Sequence, residues 1–92
     1  MTKLHIIKIR KSLKITQPTM AQILGVHPLT ISKWERGILT PNGFQMSLLH
    51  AFNNATLFYT FKKNDIANWI GYRGITYAIY RILLETYPIQ DR

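Results

Sequence analysis

The side chains able to make or break bonds are few and scattered. Three histidines, four carboxylates and no cysteine stand among 92 residues. His5, His27 and His50 lack the i, i+4 spacing of a helical metal pair and have no thiol companions, so solvated or structural roles are their default. Glu35, Asp65, Glu85 and Asp91 make no acid–base pair in the sequence, and no nucleophile stands beside a base. Catalysis, a metal and a cofactor are not expected. The chemistry that remains is recognition by charge. Twelve Lys and Arg give a net charge of +8, with a pI near 10.1. Residues 1–46 hold seven basic groups against Glu35 alone, whereas residues 47–92 hold five against three acids. A compact basic half attracts polyanions, nucleic acid first among them. The blander alternatives are a solvated basic surface and an anionic membrane surface.

The elements that position this charge read as helices. Ile6, Ile9 and Leu13 form a stripe at i, i+3 and i+7 within residues 4–13, widened by Ile7, with Lys3, Lys8, Lys11 and Lys14 off it. After a short link with Ile15 turned inward, Thr16 is a natural N-cap, and Gln17 and Pro18 occupy a first turn where the missing proline N–H costs nothing. Met20, Ala21 and Leu24 face inward, and Gly25 reverses the chain in a left-handed conformation. Pro28 opens a third helix, with His27 as a weak N-cap, Ile31 and Trp34 inward, and Leu29, Thr30, Ser32 and Lys33 outward. Gly37 stops it. Asn42 caps a fourth helix with Phe44, Leu48, Ala51, Phe52 and Ala55 on one face.

Residues 56–63 are β-branched and aromatic, but nothing nearby pairs with them as a strand, so continuation of the fourth helix is favoured. Asn64 or Asp65 then caps a short helix closed by Gly71. A last helix runs from Gly74 to about Tyr87 and ends at Pro88. The N-terminal run is too often interrupted by charge for a secretory leader, and no apolar run spans a bilayer. The expected setting is cytoplasmic.

The combination Gln17, Ala21, Leu24-Gly25-Val26, Thr30-Ile31-Ser32, Trp34-Glu35-Arg36-Gly37 and Pro41 closely resembles the XRE/Cro-like helix-turn-helix domain of phage repressors, over about residues 4–55. Ala21 is small where two helices cross, Gly25 makes the turn and Ile31 fills the space between them. The resemblance implies an all-α bundle of five to six helices whose third helix enters the major groove of double-stranded DNA. It also implies a sequence-specific transcriptional regulator, most readily a repressor. His27, Leu29, Thr30 and Lys33 match the base-reading positions: Lys33 donates to guanine O6 and N7, and Leu29 meets a thymine methyl. Pro28 and Leu29 depart from the polar residues common there, which shifts weight to indirect readout. Gln17, Lys11, Lys14, Ser32, Arg36, Thr40 and Asn42 are the matching phosphate-contact candidates. Arg10 and Glu35 match a structural ion pair.

The division expected is a DNA-binding domain over residues 1–55 and a helical extension over 56–92. The last helix is apolar around most of its circumference. It either packs wholly on its own domain or meets a second copy through Ile75, Ile79, Ile82 and Leu83 in a homodimer reading an inverted repeat. No small-molecule effector is indicated. Two other readings fit the same residues: an antitoxin or anti-CRISPR-associated autoregulator, and a protein-interaction module using the apolar last helix.

Overall fold

The computed structural model describes residues 1–85, and the expected helix end at Tyr87 and Pro88 lies outside them. Six helices follow in order: α1 (Lys3–Ser12), α2 (Gln17–Leu24), α3 (Pro28–Glu35), α4 (Gly43–Phe58), α5 (Asp65–Arg73) and α6 (Ile75–Leu84). No strand occurs among the described residues.

Capping sets most of the boundaries. Thr16 accepts the Thr19 N–H and starts α2. Asn42 and Gln45 form a reciprocal capping box at α4, and Thr2 and His5 form another at α1. The first of these places the expected cap; the second has an unusual partner, since His5 stands where Glu or Gln is the usual third residue. Gly25, at φ 69°, ends α2, and the Val26 N–H returns to the Ala21 carbonyl. Lys14 does the same work at the end of α1 with φ 60°, where the Ile15 N–H bonds the Arg10 carbonyl. A residue with a Cβ tolerates this left-handed geometry at a cost of about 1 kcal/mol.

One hydrophobic core runs through the bundle. Ile6, Ile9, Leu13, Met20, Ala21, Ile31 and Trp34 join Leu49, Phe52 and Ala55 from α4 and Phe61, Ile66, Ala78 and Ile82 from beyond it. Helix α6 packs on both α2 and α4, so the C-terminal helices complete the core of the helix-turn-helix instead of standing apart from it.

Five sequence expectations are corrected. Helix α4 stops at Phe58, and Tyr59 is extended at φ −142°, ψ 134°. Residues 59–61 then alternate half-buried, exposed and buried, because Phe61 plugs the core between Tyr59 at 4.8 Å and Trp69 at 6.2 Å, both edge-on. This link has the alternation of a strand with no partner strand, which is why neither periodicity described it. Phe44 is 74% exposed; it is the second residue of α4, a full turn before Leu48 and Leu49, where the helix first meets the core. Helix α5 runs through Gly71 and closes at Gly74. Neither Asn64 nor Asp65 caps it through a side chain, since Asn64 sits at φ 74° and Asp65 Oδ2 accepts the Lys62 N–H instead. Finally, Ile82 is fully buried in its own core, with Ile79 and Leu83 packed against that core and Ile75 half-buried. The apolar face of α6 is thus the inner face, and Ile82 offers nothing to a second copy.

Candidate nucleic-acid interface

The first requirement of a recognition helix is that it be held rigidly. Here that is done by one carboxylate. Arg10 Nε donates to Glu35 Oε2 at 2.6 Å and Arg10 Nη2 to Glu35 Oε1 at 3.0 Å. Arg10 Nη1 donates to the Ile15 carbonyl at 3.1 Å. Gln17 Nε2 completes the group by donating to Glu35 Oε1 at 3.1 Å. A forked guanidinium–carboxylate pair is directional as well as strong, so α1, the link after it, the start of α2 and the end of α3 are fixed in one geometry. The side chains are 17% exposed for Arg10 and 7% for Glu35, so water competes little for either. Burial by itself pushes the Glu35 carboxyl up. The hydrogen bonds from Arg10 and Gln17 and the charges of Arg10 and Lys11 outweigh it and hold the group below its ordinary value.

The start of α3 is fixed by a histidine. His27 Nδ1 accepts the Leu29 N–H at 3.0 Å, and Pro28 follows at the first helical position, where no N–H is needed. The cap requires Nδ1 to be unprotonated, which leaves Nε2–H as the ring's donor in the neutral form. The weak cap expected at this position is a formed one. Beyond it, Ile31 and Trp34 are buried while His27, Pro28 and Leu29 are exposed, and Thr30, Ser32 and Lys33 are half-buried. The outward side of the helix therefore presents one imidazole, one leucine, two hydroxyls and one ammonium.

The phosphate-contact candidates divide. Lys11, Lys14, Arg36, Thr40 and Asn42 are exposed, and Lys11 lies close enough to Glu35 to act on its charge. The Ser32 hydroxyl accepts from Arg36 Nε at 3.2 Å, which draws that guanidinium back along α3. Asn42 spends its side-chain oxygen on the α4 cap. One N–H of the Gln17 amide is engaged by Glu35, so the side chain braces the frame, and its second N–H is the donor left for a phosphate. That carboxylate link was the one feature of the site absent from the sequence reading of Gln17, and its only signal was the isolation of Glu35 among seven basic residues.

With this geometry in place, the comparison with known families has a clear result. The family model described as "Helix-turn-helix" matches residues 6–58. The chain belongs to the XRE/Cro-like helix-turn-helix family. No curated protein and no solved structure gave a match. The matched span runs from within α1 to the last residue of α4, so the helix-turn-helix family pattern covers α2, α3, α4 and α1 from Ile6 onward, while α5 and α6 lie beyond it. Membership carries DNA binding and transcriptional regulation as the coarse function. Among the described residues no helix is long and apolar enough to cross a membrane.

Proposed function

We propose that this helix-turn-helix protein is a sequence-specific repressor that binds an inverted-repeat operator as a homodimer. The observation that carries the reading is the locked α1–α2–α3 frame, in which Arg10, Gln17 and Glu35 fix a recognition helix on the basic half of the chain. In this reading the start of α3 enters the major groove, Lys33 and Thr30 donate to base edges, Leu29 meets thymine methyls and His27 donates through Nε2. Lys11, Lys14, Arg36, Thr40 and Asn42 hold the phosphates and set the register. A two-fold pair places the recognition helices about 34 Å apart, one turn of DNA. Occupying such a site blocks a promoter that overlaps it.

Selection from genomic fragments followed by footprinting tests this. Wild type should protect two half-sites about 10 bp apart. The double variant Thr30→Ala, Lys33→Ala should lose sequence preference while keeping its far-ultraviolet circular dichroism. A double variant that protects the same sites as wild type would remove α3 as the reader.

A further inference from the structure

A second surface lies on α4. From Gly37 to Phe61 the sequence contains no Lys, Arg, Asp or Glu, in a chain of net charge +8. Of the ten large hydrophobics that are exposed, Phe44, Leu57 and Phe58 lie on α4, and Ile38 and Leu39 in the loop leading to it. Phe44, Ser47, His50, Asn54, Leu57 and Phe58 are all exposed, and Ala51 is half-buried. At 100° per residue these positions fall within roughly 140° of one another, on an arc that borders the buried face of Leu49, Phe52 and Ala55. The helix is 16 residues long, or about 24 Å.

We propose that this face of α4 is a homodimer interface, packed antiparallel against α4 of a second copy. Two arguments select that occupant. Copies carrying +8 repel over most of their surface, and a contact that introduces no charge is the one they can share. An acidic partner, which such a basic chain would otherwise attract, finds no countercharge here. The face is also self-complementary about His50 and Ala51. Antiparallel pairing sets Phe44 against Leu57 and Phe58 of the other helix and Ser47 against Asn54. The small side chain at the centre lets the backbones approach. This is the symmetry an isologous two-fold contact demands, each patch meeting itself. Bulky residues then close both ends of the contact while a serine–asparagine pair holds its register.

The inference deepens the dimer part of the proposed function, and its test is run without DNA so that the two stand or fall separately. Sedimentation equilibrium of the full chain should give a dimer for wild type. Ala51→Glu brings two like charges together at the axis and should raise the dimer Kd more than ~30-fold, with helicity unchanged. Asn54→Lys should weaken the dimer roughly fivefold, and adding Ser47→Glu in the same chain should recover most of that loss. Tyr80→Glu, on the exposed side of α6, should leave the mass unchanged. A monomeric wild type at about 100 µM, where a contact worth about 8 kcal/mol would leave most chains dimeric, overturns the proposal. So does a dimer that tolerates Ala51→Glu or that dissociates with Tyr80→Glu. Loss of DNA binding by the Thr30, Lys33 variant with an unchanged mass concerns the reading of bases alone.

Discussion

Arg10 and Glu35 stand 25 residues apart and meet in a forked ion pair at 2.6 and 3.0 Å, each largely shielded from water. The pair joins the first helix to the end of the recognition helix, so the angle at which α3 is presented depends on a contact remote from its reading face. Removing one partner strands the other. Arg10→Met should cost about 2–4 kcal/mol in urea denaturation, because Glu35 is left shielded and without its strongest donor. The double variant Arg10→Met, Glu35→Leu should recover part of that loss. A double variant that loses the sum of the two single losses would contradict the coupling.

The same carboxylate makes stability depend on pH. The unfolded-state reference for Glu35 is 4.5, and the folded value lies below it. A depressed value means that the stabilisation is complete above the unfolded value and is lost as pH falls through the folded one. Denaturation midpoints measured from neutrality down to about pH 3 should therefore decline more steeply for wild type than for Glu35→Gln. Parallel profiles would remove Glu35 as a contributor.

His27 predicts a second, smaller effect. Its bond to the Leu29 N–H satisfies one of the free donors at the start of α3. His27→Ala should lower stability by about 1 kcal/mol, which in a domain this size is roughly 4–8 °C in Tm. His27→Ser should keep the cap and restore most of that loss while removing the Nε2 donor. Calorimetry and DNA titration on the two variants then separate capping from contact with the nucleic acid.

Lys11 and Lys33 should differ in kind under the proposed function. Lys11→Ala should weaken binding about equally on all sequences and reduce the slope of log affinity against log salt by about one. Lys33→Ala should instead cost about 1–3 kcal/mol at the cognate site and little elsewhere. Competition titrations with operator and scrambled duplexes distinguish them.

The helix-turn-helix was legible because its signals are local. Thr16, Gly25 and Pro28 act through backbone geometry within a turn, and the Ile6, Ile9, Leu13 stripe needs only helical periodicity. The Arg10–Glu35 pair was legible through the family likeness, not through spacing. What the sequence hid were choices made by tertiary packing. Phe61 is drawn into the core against Tyr59 and Trp69, which ends α4 at Phe58 and leaves an extended link that no periodicity marks. Helix α6 is apolar around most of its surface, so periodicity alone could not say that Ile82 faces inward. Arg81, placed 4.7 Å over the Trp69 ring and donating to the Tyr77 hydroxyl, shows how one charge is accommodated on that apolar helix. Gln17 is a phosphate-contact candidate in the sequence, and the carboxylate that it also meets lies 18 residues away.

The central claim is that the basic frame around α3 binds the DNA backbone while the outward side of α3, from His27 to Lys33, reads sequence. Fluorescence anisotropy with the selected duplex at 50 and 200 mM salt tests it most directly. With six to ten phosphates held, affinity should fall about 10³–10⁵-fold across that range. An affinity unchanged between the two salts would contradict the claim.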